Sequence, residues 1–450
     1  MILIWNANIV NEGTVYKGSV WIKGERIKNI VPYYLSMERE NKDDLQNTTT
    51  VIDASDLLLL PGVIDDQVHF REPGLTHKGD IYSESHAAVA GGITSFMDMP
   101  NTLPQTITVK DLNDKFKKAS QDSLSNYSFF IGATNDNFEE LIRPGANRAI
   151  GVKVFMGSSS GNMLVDNPLA LERIFTLSNH IIATHCESET VIQTNRAKYI
   201  RKFGKCLGIS FHPKIRSAKA CYISSSEAVR LAKKYCSHLH LLHLSTAREI
   251  ELLTLEPLQE KRITAEVCVH HLWFSDKDYS RLGNRIKWNP SIKTFADREA
   301  LRQALIDGKI DIIATDHSPH TWEEKQGGCF QAAPGAPMVQ HALILMLELC
   351  RQNVFTLPLI VEKMSHAPAR LFNLRDRGYI RKGYYADLVL VDPKYRWTVA
   401  KENLLYKCRW SPLEGETFSH KVVKTFVNGH LVYDDGRFDD SFRGKELCCK

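Results

Sequence analysis

From about residue 56 to residue 320 the chain repeats one rhythm: a short apolar run, a polar residue near its end, and then a segment of helical spacing. The runs are GVIDDQVHF (62–70), GGITSFMDMP (91–100), NYSFFIGAT (126–134), GVKVFMG (151–157), HIIATHCE (180–187), HLHLLHLST (238–246), ITAEVCVHH (263–271) and IDIIATDHSPH (310–320). Amphipathic segments such as TVKDLNDKFKKASQ (108–121) and SSEAVRLAKKYC (225–236) lie between them. Strands alternating with helices predict an α/β fold, here a parallel (β/α)8 TIM-like barrel over residues 56–370. The ends differ. MILIWNANIV and SVWIKGERIKNIV at one end, and YYADLVLVDP and KVVKTFVNGHLVYDDGRF at the other, read as short strands with turns, including an Asn428-Gly429 hairpin signal. They predict a small β-sandwich domain built from residues 1–55 and 371–440, a polar loop from Met37 to Thr50 and a frayed tail over 441–450.

Composition narrows the class. Of the 450 residues, 43% are hydrophobic and 24% charged, the balance of an ordinary globular protein with room for a barrel and a smaller domain. The net charge of +5 is small. Its local clusters, KFKK (115–118) and KYIRKFGK (198–205), are expected to be solvated faces, which excludes a nucleic-acid partner. No apolar run reaches the length of a membrane span, and the N-terminus lacks the basic start of a signal peptide. The ten scattered cysteines are therefore expected to be reduced thiols in cytoplasm.

The candidate chemistry sits at the ends of the apolar runs. Alternation along PGVIDDQVHFR (61–71) places Asp65, Gln67, His69 and Arg71 on one face. Lys153 lies within the fourth run, His185 and His243 end the fifth and sixth, and Asp316, followed by His317 and His320, ends the eighth. Singly, each has a structural reading: a hydrogen-bonded core histidine, a snorkelling lysine, a helix-capping aspartate. Together they share the carboxyl-terminal end of one barrel, where such folds carry their sites, and that predicts a metal centre. Imidazole and carboxylate donors suit zinc, which lowers the pKa of bound water to about 7 and so supplies a nucleophile for an amide or ester carbonyl. A lysine desolvated by apolar neighbours is more readily neutral and can capture carbon dioxide, giving a carbamate able to bridge two ions. Asp316 can take a proton from water and return it to a leaving nitrogen. His270-His271 is expected on strand seven in a supporting role, Cys186 in the core, and His212-Pro213 with Arg216 at the surface.

The ordered set VHFREPGLTHK (68–78), MPNT (99–102), Lys153, ATHCE (183–187), HLST (243–246), WNP (288–290) and TDHSPH (315–320), with GYYADLVLVDP and WSPLEG (410–415), resembles the dihydroorotase family of the amidohydrolase superfamily. The resemblance implies reversible cyclisation of N-carbamoyl-L-aspartate to dihydroorotate in pyrimidine synthesis. It implies that His69, carbamylated Lys153, His185, His243 and Asp316 hold one or two zinc ions. It further implies that Arg71, Asn101 and His320 grip the substrate carboxylate, that Asn289 contacts the ring, and that the Gly- and Ala-rich segment 323–337 lends backbone groups to it. The family pattern is His-x-His on the first strand, and this chain has Gln67, a weaker neutral ligand. The alternatives are a hydantoinase- or allantoinase-like cyclic amidohydrolase, and a non-catalytic scaffold for aspartate transcarbamoylase. A homodimer is expected.

Overall fold

The structure, a computed structural model, describes residues 1–32, 50–157 and 163–449. The eight apolar runs form eight parallel strands: β6 Val63–Val68, β7 Ile93–Asp98, β8 Asn126–Gly132, β9 Gly151–Phe155, β10 Ile181–His185, β11 His238–Leu241, β12 Ile263–Cys268 and β13 Ile312–Ala314. They pair in chain order. The barrel closes where the His69 amide donates to the His317 carbonyl at 2.7 Å and Val68 bridges His317. Helices cover the outside, several of them with one apolar stripe turned inward. The helix Val109–Asp122, for instance, is capped by Thr108 and turns Leu112, Phe116 and Ala119 inward, with the Phe116 ring edge-on to Phe129 of β8 at 4.8 Å. Lys115 on that helix is buried rather than solvated. Its ammonium donates to the Met99 carbonyl at 2.9 Å and pairs with Asp98. Lys117, Lys118 and the 198–205 cluster are largely exposed, as expected of solvated faces.

Both chain ends join one nine-stranded sheet. β1 Ile2–Asn11, β2 Thr14–Lys23, β3 Arg26–Pro32 and β4 Thr50–Asp53 come from the N-terminal side. The C-terminal side adds Leu388–Asp392, Lys421–Val427, His430–Asp434 and Arg437–Phe438. β5, Leu58–Pro61, stitches the halves together: it runs parallel to β1 and antiparallel to Leu388–Val391. The sheet therefore extends past residue 55 on the N-terminal side. Its own core takes Ile4, Ile9 and Val20 from one end and Leu388, Leu390 and Phe426 from the other. The hairpin turn falls at Asn428-Gly429, both with positive φ (48° and 79°), as that dipeptide favours. A side chain at Gly429 would meet the Gly24 carbonyl at 2.1 Å. Most of the polar stretch Met37–Thr50 lies outside the described residues, and Thr50 itself opens β4.

Two expectations are corrected here. The terminal residues are docked, not frayed. Gly444 donates its amide to Ser123, Leu447 donates to Tyr127 at 2.9 Å, Cys449 bridges Leu374, and the Leu447 side chain is buried. The segment is short and weakly patterned, but it finds free backbone partners and an apolar floor under the barrel. Leu447→Ala is accordingly expected to cost about 2 kcal/mol and to lower the thermal midpoint; a frayed tail would leave it unchanged in a melting experiment. His270 and His271 do not lie on strand seven, because β12 ends at Cys268 and the chain turns into the short helix Val269–Trp273. His270 there stacks on Trp288 with ring centroids 4.1 Å apart, and His271 bonds the Pro290 carbonyl.

Candidate active site

The carboxyl-terminal ends of the barrel strands surround a cleft of about 160 Å³, and the ten residues expected to bind metal or substrate (Gln67, His69, Arg71, Asn101, Lys153, His185, His243, Asn289, Asp316 and His320) all line it. Strict alternation on β6 does not hold. The pairing Asp65–Phe96 is followed by Val68–Asp98, so two residues of β6 oppose one of β7. This β-bulge turns Asp66 as well as Gln67 toward the barrel interior. Asp65 lies at the β6–β13 seam instead, accepting from the Gln67 and Thr315 amides and from the Thr315 hydroxyl. Burial raises its pKa to about 7.

The donors on the first, fifth, sixth and eighth strands meet in two pairs. His69 Nε2 lies 3.0 Å from Asp316 Oδ1, and His185 Nδ1 lies 3.0 Å from His243 Nε2. The remaining nitrogens of two of these rings also face oxygen atoms. His69 Nδ1 donates to Asn101 Oδ1 at 2.7 Å, and His185 Nε2 faces Glu187 Oε2 at 3.2 Å. Those acceptors leave a lone pair on His69 Nε2 and on His185 Nδ1, both directed into the cleft, which is the arrangement an imidazole ligand needs. Glu187 was not foreseen as part of the site. Its signal is its place two residues after His185, but its role shows only in space: it is fully buried and pairs with Arg216. Burial alone would raise the Glu187 pKa; Arg216 and His185 hold it below the usual carboxylate range. Arg216 and the buried His212, whose Nε2 bonds the Trp288 carbonyl at 2.7 Å, thus belong to the wall behind the cleft, not to the surface. Polar partners hold them there, Glu187 for Arg216 and the Trp288 carbonyl for His212.

Lys153 of β9 is 1% exposed, and its ammonium lies over the Phe155 ring at 4.7 Å. Burial lowers its pKa to about 8, so the neutral amine is far better populated than on a free lysine. Burial also depresses His185 and, together with the neighbouring His185 and Lys153, takes His243 well below the ordinary histidine value. Gln67 is buried beside these groups, and its carbonyl accepts from the Cys268 thiol at 3.7 Å. Cys186, next to His185, is a core thiol pushed up by burial to about 11.

The opposite wall carries the cations. Arg71 has a positive φ of 68°, as His243 (41°) and Asp316 (45°) do; such strained backbone concentrates where function fixes a side chain. The Arg71 guanidinium donates from Nε to the Pro319 carbonyl (3.0 Å) and from Nη2 to the Ser318 hydroxyl (2.7 Å), and lies 3.1 Å from His320 Nε2. Lys78 stands beside it, 2.9 Å from Glu324. His320 is anchored from outside by the Trp410 indole, which donates to its carbonyl at 2.7 Å, and burial beside Arg71 lowers its pKa to about 3. Pro334 and Gly335 of the 323–337 segment form part of the rim. The fully buried Lys325 ammonium holds that segment by donating to the Lys287, Ala333 and Gly335 carbonyls.

A family model described as the amidohydrolase family matches residues 58–432, spanning the barrel and its return into the terminal sheet. The chain belongs to the amidohydrolase family. Among similar amidohydrolases, the dihydroorotase of Methanosphaera stadtmanae is 30% identical over 93% of each chain, and that of Carboxydothermus hydrogenoformans is 32% identical over 96% of this chain and 97% of that one. An L-hydantoinase (dihydropyrimidinase) from Arthrobacter aurescens superposes with a TM-score of 0.90 at 25% identity, covering 97% of each chain. This amidohydrolase is accordingly an enzyme acting on cyclic amides. Among the described residues no helix is long and apolar enough to cross a membrane.

Proposed function

We propose that this amidohydrolase is a zinc-dependent dihydroorotase, interconverting (S)-dihydroorotate and N-carbamoyl-L-aspartate for pyrimidine synthesis in the cytoplasm. The observation that carries this reading is the division of the cleft. A histidine–lysine–aspartate donor set occupies one wall, and Arg71 with His320 occupies the other. A cyclic amide bearing a carboxylate fits both; a neutral ring would bring the guanidinium no anion to pair with. The share of the chain matched to proteins called dihydroorotase supports the same reading.

His69, Lys153 as a carbamate, His185, His243 and Asp316 would hold one or two zinc ions, with Gln67 a weak sixth donor. A zinc held there would supply Lewis acidity, polarising the ring carbonyl and making water a stronger acid. Asp316, at the end of β13, takes the proton of the attacking water and delivers it to the ring nitrogen as the amide bond breaks. Arg71 clamps the carboxylate in two-point fashion. The Asn101 amide, whose oxygen is engaged by His69, has its N–H groups left to add, and His320 supplies a further contact. Asn289, whose side-chain oxygen accepts no hydrogen bond from the described residues, orients the ring.

The test is to assay dihydroorotate, hydantoin and allantoin side by side on zinc-loaded protein. Turnover of dihydroorotate alone is expected. Preference for hydantoin, the reading favoured by the hydantoinase-like superposition, would replace the substrate assignment. Full zinc occupancy with no turnover would favour a scaffold role beside aspartate transcarbamoylase. Arg71→Lys keeps the charge and loses the planar fork, so KM for dihydroorotate is expected to rise about 10- to 100-fold with a smaller change in kcat. An unchanged KM would remove Arg71 from the carboxylate.

A further inference from the structure

Beneath the cleft, three ionisable side chains from three barrel strands meet in a layer closed to solvent. Asp66 of β6, His240 of β11 and Glu266 of β12 are each 0% exposed. His240 Nε2 lies 3.3 Å from Asp66 Oδ2 and 3.6 Å from Glu266 Oε2. Among the described residues, neither oxygen of Asp66 accepts a hydrogen bond, nor does Oε2 of Glu266. The other ring nitrogen of His240, Nδ1, bonds the Thr264 hydroxyl at 2.8 Å, so Nε2 is the nitrogen presented to the carboxylates. The in-register neighbours Ala183 and Ile312 are apolar. A buried Asp66 carboxylate with neither oxygen hydrogen-bonded, facing the free Oε2 of Glu266, is costly unless a cation joins them.

We propose that Asp66, His240 and Glu266 form a closed site for a divalent zinc ion, separate from the donors that line the cleft. The spacing suits it: zinc bonds of about 2.0–2.2 Å in a tetrahedron set ligands roughly 3.3–3.6 Å apart, against the 3.3 and 3.6 Å seen here. Two carboxylates balance the ionic charge, a neutral imidazole adds the third ligand, and a second carboxylate oxygen completes the shell. With no open position, the site is structural. Its origin is the bulge on β6, which turns Asp66 inward beside Gln67. The backbone amide of His243 donates to Glu266 Oε1 at 2.8 Å, so an ion there would also brace the strand end that presents His243 to the cleft. This inference does not depend on the substrate assignment. The rival arrangement is a metal-free imidazolium, which the two carboxylates would favour, raising the His240 pKa to about 9 against the opposing effect of burial.

The deciding experiment is anomalous diffraction above and below the zinc edge on crystals of the full chain grown with zinc. It is paired with metal content after exhaustive dialysis against dipicolinate. An anomalous peak bonded to His240 Nε2, with one chelator-resistant zinc per chain, is expected. Asp66→Asn and His240→Gln are each expected to lose that resistant zinc while still taking up zinc in the cleft on reloading. No peak in the barrel layer of the wild-type protein would overturn the proposal, even if neither variant folds. A resistant zinc that persists in Asp66→Asn would overturn it as well.

Discussion

Asp316→Asn is expected to reduce turnover of dihydroorotate by about 10³-fold or more, since general acid–base catalysis contributes about 10²–10⁴-fold and the proposed metal ligand would be weakened at the same time. The amide keeps the shape of the carboxylate, so the loss isolates chemistry from packing. Asp316 sits with a φ of 45° at the end of β13, and His317 beside it is locked, with Nε2 2.9 Å from Glu84 and Nδ1 accepting from the Met338 amide. The backbone is thus held whatever side chain stands at 316, and the variant should fold with the wild-type melting profile. Binding of the substrate carboxylate, across the cleft at Arg71, should survive. Equilibrium binding near the wild-type value with turnover lost is the expected pair of results; wild-type-like turnover would remove Asp316 from the proton path.

Lys153→Met should have an effect of similar size by a different route. Methionine fills the buried space beside Phe155, so the fold should persist, but the carbamate proposed to hold the metal ions could not form. Loss of turnover by about 10³-fold is expected, together with reduced zinc per chain after dialysis. The wild-type protein should carry the extra mass of one carbon dioxide on the peptide containing Lys153 when handled above neutral pH. The gain should vanish in acid, since carbamates decompose there. The burial that lowers the Lys153 pKa to about 8 makes the neutral amine about 300-fold more abundant near pH 7 than for a pKa of 10.5, and only the neutral amine reacts. A wild-type peptide without the added mass, in protein that turns over, would exclude the carbamate.

Much of this site could be read from the chain because its residues lie at the ends of apolar runs. His185, His243 and Asp316 each follow a strand that must be buried, so burial and strand direction together place them at one end of a barrel. What stayed hidden depends on partners distant in sequence. The bulge at Asp66 and Gln67 exists only in the register with β7, and alternation taken from β6 alone put Asp65 on the wrong face. Glu187 and Arg216 are ordinary charged residues until the fold brings them behind His185. His270 and His271 follow an apolar run without a break in the sequence, but the strand ends at Cys268. The docked tail was invisible for a simpler reason: one buried Leu447 and a few backbone bonds leave almost no pattern in a polar segment.

The stitching strand β5 has a consequence for how the chain acquires this structure. Leu58–Pro61 pairs with Leu388–Val391, so the terminal sheet closes only after the whole intervening barrel has been made. Contacts of such long sequence separation form late, because the entropy of closing the loop must be overcome before they contribute. During synthesis, β1, β2 and β5 emerge early and wait with an unpaired apolar edge until about the last seventh of the chain arrives. That interval is when the nascent protein is most open to edge-to-edge association. A chain stopped short of residue 388 would never leave it.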